Sequence, residues 1–441
     1  MHNKGRFPNV FFGARLQPES AALAIMVLLL FLIFLFLFLT LTAQPAQAQT
    51  TVIHGFYGPD GANPGTGLIT DGAGNLYGTT SIGGHTGGDC GTVGWPYFAG
   101  CGEVFKLSKY GSTWILIPIH QFQGGSDGKE PTGRVVFGPD GSLYGTTVGG
   151  GWGYGTDFSL RPSAHASPNV LGGWTETVLY RFAGGADGAS PEGDLTFDQA
   201  GNIYGTTQGG GPASAGTVYK LTRSSGGWTE SVLYSFTGGR DGYHPLGGVI
   251  LDQYGSLYGT TMEGGDFTCD QRATCGTLFA LAPSGNGWQE YVLYSFQGGN
   301  DGYYPMAGLT LDQSGTVLYG TASTGGALDG GTVFAFNGVF NLIYSLQGAG
   351  PFPPVGPVSN LTLDVAGNLY GTTREDGNGT GSVFKLTPSD GGWQFTSYDF
   401  EGGYLIESNV ILGPEGKLYG TANGGVCYPP SSCGTVWEIT P

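Results

Sequence analysis

The chain has 441 residues, 86 of them glycine, with 13% aromatic and only 11% charged residues. So many rings exclude a disordered chain, and so much glycine between them points to many short strands joined by tight turns. A net charge of −17 with 16 basic residues excludes a phosphate-binding surface, and with it a nucleic-acid partner; it suits calcium binding or plain solubility.

Taken in chain order, residues 1–48 are a targeting segment and stand apart from the fold. Lys4, Arg6 and Arg15 precede a long apolar run, Ala21 to Thr42. Ala46-Gln47-Ala48 has the small-x-small form of a signal-peptidase site, so cleavage before Gln49 is the preferred reading. The run is also long enough to span a bilayer, which leaves an uncleaved N-terminal membrane anchor as the alternative. Either way everything after residue 48 is exported: secreted, periplasmic or at the cell surface. Residues 21–42 are the only expected membrane contact.

Beyond residue 48 one unit recurs. Tyr-Gly-Thr occurs at Tyr77, Tyr144, Tyr204, Tyr258, Tyr319, Tyr370 and Tyr419. The best-preserved unit, Gly247 to Pro305, contains four strand-like runs: GVILD, SLYGTT, GTLFALAP and QEYVLYSF. A D-x-x-G turn joins the first two, Asp bonding nearby amides and Gly supplying a positive φ. One four-strand meander cannot bury both faces, whereas seven packed radially can. The expected fold is therefore all-β, a seven-bladed propeller of four-stranded antiparallel blades over residues 49–441. The blades fall at about 67–123, 133–182, 193–237, 247–297, 307–347, 358–401, and 408–440 with 51–57. That last pairing follows from the final unit, which has only three strands. Thr50 to Phe56 (TTVIHGF) aligns with Glu230 to Phe236 (ESVLYSF), so Thr51 to Tyr57 is expected on Val436 to Ile439, closing the ring.

The repeat resembles the GloVer tandem repeat of exported bacterial proteins, carried here by Leu257 to Thr261 with Gly276 to Leu281 and by Leu369 to Thr373 with Gly381 to Leu386. Runs such as Asp198 to Gly205 are more distantly similar to NHL-type propeller repeats. The resemblance implies an exported repeat protein and no particular activity.

Six cysteines fall as three local pairs, Cys90–Cys101, Cys269–Cys275 and Cys427–Cys433. In each, the second member stands just before the third strand of its unit. Disulfides in an oxidising compartment account for them better than a metal site, since no C-x-x-C or clustered His accompanies them. In a propeller the loops from strand two to three and the linkers from strand four to the next blade share one face, and both are elaborate here. The linkers place Asp127, Asp187, Asp241 and Asp301 alike, either as turn residues or as a carboxylate ring able to take Ca²⁺, the only cofactor in view. Aromatics that do not recur are the ligand candidates: Trp95, Tyr97, Phe98, Trp152, Tyr154, Tyr243, Tyr303 and Tyr304. His244, beside Arg240 and Asp241, is the one compact polar constellation.

No nucleophile elbow, H-E-x-x-H or P-loop is present, and no catalytic residue is assigned. The leading expectation is a monomeric, non-enzymatic exported propeller that binds a glycan or an extracellular protein on its loop-rich face. The alternatives are a carbohydrate-active or lactonase-like enzyme with its site at the channel mouth, and a purely structural surface protein. If residues 50–57 complete the last blade, deleting them lowers the melting temperature far more than trimming an ordinary tail; an unchanged melting curve refutes the assignment.

Overall fold

A computed structural model describes residues 49–91, 100–164, 167, 169–170, 173–270, 273–285, 287–348, 356–374, 381–399, 405–424 and 432–441. Seven four-stranded antiparallel sheets make up the architecture, with one extra two-stranded hairpin (Thr268–Asp270 with Ala273–Thr274) in a loop of the fourth unit. The protein is a seven-bladed β-propeller. Six blades take their strands in sequence order; blade 4 runs Ile250–Leu251, Leu257–Thr261, Thr277–Ser284 and Gly287–Ser295. In blade 7, Ile411–Leu412, Leu418–Asn423 and Gly434–Thr440 are joined by Gln49–Gly55, which lies antiparallel on Gly434–Thr440 with Thr51 opposite Glu438.

Each letter of the repeated YGTT has a separate physical task. The tyrosine hydroxyl donates to the aspartate of the preceding turn, as Tyr77 to Asp71 at 3.0 Å and Tyr204 to Asp198 at 3.0 Å. That aspartate's other oxygen accepts the turn amides, those of Ala73 and Asn75 in blade 1, so the turn is closed from both sides. The glycine is required by close approach. A methyl group on Gly78, Gly145, Gly205, Gly259, Gly320, Gly371 or Gly420 would come within 2.2 to 2.7 Å of the aromatic ring on the third strand of its own blade. Those rings are Phe105, Phe158, Tyr219, Phe279, Phe334, Phe384 and Trp437, all fully buried.

In blades 3, 4 and 6 the first threonine latches the following blade. Thr206 Oγ1 donates to the Gly247 carbonyl at 3.0 Å, Thr260 to Ala307 at 2.7 Å and Thr372 to Ser408 at 2.9 Å. The second threonine meets a hydroxyl at the start of the third strand, as Thr207 with Thr217 at 2.8 Å. These hydroxyls are satisfied within the fold, whereas Thr80, Thr146, Thr321 and Thr421 Oγ1 at equivalent places are buried without a hydrogen bond among the described residues.

The cysteine bridges Cys90–Cys101 and Cys269–Cys275 form as expected, each tying a two-to-three loop to the start of the third strand. Cys433 is also disulfide-bonded; Cys427, its expected partner, lies outside the described residues, as does the targeting segment 1–48.

The glycine seat gives a matched test. Gly259→Ala, which drives a methyl into Phe279, is expected to destabilise the protein by ~1–3 kcal/mol, whereas Gly287→Ala, with nothing within 4 Å, leaves denaturant midpoints nearly unchanged. Equal midpoints for the two variants would remove the seat as the reason for glycine.

Candidate functional site

The linkers entering the first five blades are clasped before they reach the axis. Asn63, Glu130, Ser190, His244 and Tyr304 each stand directly before a proline, with φ of 55° to 60°. This left-handed backbone is uncommon for residues other than glycine. Each of these amides donates to a carbonyl of the preceding blade: Glu130 to Cys101 at 2.8 Å, Ser190 to Tyr154 at 2.9 Å, His244 to Ala215 at 3.1 Å and Tyr304 to Cys275 at 3.0 Å. The chain is thereby aimed, and the three residues that follow the proline, or Ile406 in blade 7, fall beside the axis.

Those tripeptides read GTG (65–67), TGR (132–134), EGD (192–194), LGG (246–248), MAG (306–308), VSN (358–360) and ESN (407–409). They come from all seven blades and, with Arg374, enclose a cavity of about 310 Å³. A second cavity of about 250 Å³ is lined by the innermost strands, and the third residue of six tripeptides borders both. The upper cavity is the mouth of the central channel, and it lies where the four-to-one linkers enter, on the loop-rich face.

Polar side chains cross the throat between the two cavities. Arg134 grips Asp194 through its backbone amide (3.1 Å), Nε (3.1 Å) and Nη2 (2.9 Å). Asn360 donates to the same carboxylate at 3.2 Å from across the ring, while its Oδ1 accepts the Gly308 amide at 2.7 Å. The glycines make room for this brace: a methyl on Gly248 would lie 2.1 Å from the Asp194 carbonyl, and one on Gly67 would collide with Asn409 Oδ1. On the other side Glu407 is held by Arg374 Nε at 2.8 Å and by Asn423 Nδ2 at 2.6 Å.

Three polar groups of the lining have no such partner among the described residues. Burial alone pushes the Glu192 carboxyl above the ordinary range. Thr132 Oγ1 and Asn409 Oδ1 are buried without a hydrogen bond, and Asn409 is only 6% exposed. None of the lining residues is aromatic.

The linker aspartates sit elsewhere. Asp127, Asp187, Asp241 and Asp301 each accept the amide four residues earlier, at 2.7 to 2.8 Å. Tyr180, Tyr234 and Tyr294 donate to the last three at 2.8 to 3.0 Å, and His120 approaches Asp127 at 3.4 Å. Each carboxylate thus closes its own linker, and none lines the channel cavity. Among the described residues no three His, Cys, Asp or Glu side chains gather as a metal site requires.

The His244 constellation is dispersed. Arg240 pairs with Asp266 at 2.7 Å, Asp241 bonds Thr237 and Tyr234, and the His244 ring stacks on Tyr243 at 3.6 Å. Burial lowers the His244 pKa against the opposing pull of Glu263. Tyr243 and Tyr303 are half-buried against blade cores, and Tyr303 meets Tyr304 edge-on at 4.8 Å. Trp152 is two-thirds exposed and Tyr154 about half, with its ring over Gly184. Trp95, Tyr97 and Phe98 lie outside the described residues.

Reading the repeat only as far as the linker proline missed Arg134, Glu192, Asp194, Asn360, Arg374, Glu407 and Asn409. The signal was available one step further on, where aligned tripeptides change from glycine and apolar residues in blades 4 and 5 to charged and amide residues in blades 2, 3, 6 and 7.

The repeat decides the family. The Gloeobacter/Verrucomicrobia repeat matches residues 90–334 and 269–441. The chain belongs to that repeat family. No curated protein sequence matches it. Solved structures similar in fold include a Bacteroides uniformis protein assigned as a 6-phosphogluconolactonase (14% identity, 77% of this chain and 85% of that one, TM-score 0.49). Another is a Thermus thermophilus protein assigned as an oxidoreductase of the glucose dehydrogenase kind (15%, 89% and 100%, 0.39). A third is a protein assigned as a gluconolactonase (16%, 69% and 86%, 0.37). At these identities and TM-scores the likenesses carry no argument about this chain.

Two Gloeobacter/Verrucomicrobia repeat positions are buried acids instead of the usual residue. Asp157, fully buried where most blades carry Val or Leu, accepts the Tyr219 hydroxyl at 2.9 Å; Glu103, where other blades carry Thr or Ser, accepts Gln121 Nε2 at 3.0 Å. Burial pushes both to about 8. Folding therefore binds protons between the unfolded carboxylate range and pH 8, so stability is full in acid and falls as pH rises through that window, by at most ~1.4 kcal/mol per pH unit per group. Asp157→Asn, which keeps a partner for Tyr219, is expected to flatten the melting temperature between pH 5 and 8 and to raise it at pH 8; an unaltered slope would show the acid to be ionised throughout.

Proposed function

We propose that the protein is an exported, non-catalytic binding propeller that holds a small hydroxyl-rich ligand, a sugar unit of a glycan, at the mouth of its channel. One observation carries the reading. Blade by blade the repeat preserves the residues that fold it, yet at the channel mouth it varies, and there it places arginine, carboxylates, amides and hydroxyls around a cavity of about 310 Å³. Hydroxyls on a ring offer both donors and acceptors, which suits such a lining. Export is supported by the two local disulfides, which persist in oxidising compartments, and by the apolar segment at residues 21–42.

The half-buried Glu192 also favours a second reading, a carbohydrate-active enzyme with this carboxyl as general acid. Turnover of polysaccharides lost in Glu192→Gln would favour it.

Capture on a glycan array tests the binding reading. Thr132→Ala is expected to weaken capture about tenfold, the worth of one polar contact, without moving the melting temperature. Loss confined to Trp152→Ala or Tyr303→Ala would put the ligand on the rim, and no retained saccharide would overturn the reading.

A further inference from the structure

The charges at the channel mouth are unevenly matched. Arg134 is neutralised by Asp194, and Arg374 by Glu407. Glu192 remains, a carboxyl on the cavity wall with no cation beside it among the described residues. Unused hydrogen-bonding capacity on the same cavity lining lies at Asn409 Oδ1, which faces Gly67 farther off across the mouth, and at Thr132 Oγ1, in the adjoining blade. The entries of blades 2 and 3 abut there, since a methyl on Gly133 would lie 3.2 Å from the Glu192 carbonyl.

We infer that the mouth takes a primary ammonium group, with Glu192 as its counter-charge and Thr132, in the abutting entry of blade 2, as a hydrogen-bond acceptor. The inference rests on the channel mouth being the binding site, and it names the ligand's chemistry. An ammonium carries three N–H donors and no acceptor, which complements a carboxylate and an orphan hydroxyl oxygen and leaves a donor for solvent. A phosphate or carboxylate ligand meets guanidiniums already engaged by acids, and it meets Glu192 as a like charge. A neutral hydroxyl offers the half-buried Glu192 no counter-charge, whereas an ammonium does. The net charge of −17 adds a field that draws cations towards the protein. Amino sugars and lysine side chains both carry the group.

Calorimetry with the full exported chain separates these cases, using chitosan trisaccharide, its fully N-acetylated counterpart and a lysine-containing tripeptide amide with its N-terminus acetylated. The free-amine saccharide is expected to bind at least about tenfold tighter than the acetylated one, with an affinity that falls as salt rises. Glu192→Gln erases that preference, and the milder Thr132→Ala reduces it while the melting temperature holds. Equal affinity for the two saccharides, or a preference that survives Glu192→Gln, overturns the ammonium inference and leaves the glycan reading standing. Binding of the lysine peptide without either saccharide keeps the ammonium inference and removes the glycan. No binding of any of the three removes both.

Discussion

The ring depends on one contact made again at successive blade junctions: the aromatic ring of a third strand packs against the phenylalanine that ends the fourth strand of the blade before it. Phe122 meets Phe158 at 5.1 Å, Phe182 meets Tyr219 at 5.0 Å, Phe236 meets Phe279 at 5.1 Å and Phe296 meets Phe334 at 5.4 Å, all edge to face. Edge-to-face geometry is the favoured arrangement of two rings, and each of these side chains is buried. Phe56, just after the N-terminal strand, occupies the same place against Phe105 at 5.1 Å, with the rings tilted rather than edge to face. Residues 49–56 therefore supply blade 7 with both an outer strand and the ring through which it grips blade 1.

From that contact the rest of the motif follows. A ring buried at the junction needs space inside its own blade, and the glycine of YGTT supplies it. A strand carrying glycine at its centre packs little by itself, so the flanking residues fix its register. Tyrosine anchors the turn on one side, and threonine reaches the next blade on the other. The carbonyls those threonines bind, at Gly247, Ala307 and Ser408, belong to the middle residues of the axial tripeptides. The latch that holds neighbouring blades together is thus also what positions the residues around the channel.

This explains how much could be read from the chain. Fold and blade number were legible because seven copies repeat every constraint, and a constraint repeated seven times is visible without coordinates. The disulfides Cys90–Cys101 and Cys269–Cys275 were legible for the same reason, sharing one place in the unit. The linker aspartates were equally conspicuous, but repetition there marks folding: each closes its own turn against a backbone amide. His244 drew notice through its sequence neighbours, whose side chains turn to separate partners. The channel mouth was harder to read because its residues are far apart in sequence and adjacent only once the ring exists; Asp194 and Asn360 are 166 residues apart and joined by a hydrogen bond.

Departures from the repeat fall into two kinds that need different explanations. Asp157 replaces an aliphatic residue in blade 2, and Tyr219 replaces phenylalanine in blade 3; the two meet through a hydrogen bond. A buried carboxyl or a buried hydroxyl without a partner is costly, and here the Tyr219 hydroxyl and Asp157 Oδ1 satisfy each other, while Asp157 Oδ2 has no hydrogen bond among the described residues. A paired departure of this kind is compensated within the fold and asks for no ligand. Arg134 with Asp194, and Arg374 with Glu407, are departures of the same compensated sort, and they brace the throat. Glu192 is different. It departs from the repeat, faces a cavity and has no compensating change elsewhere in the described chain, so its charge is balanced either by a proton taken up on folding or by something that enters from outside.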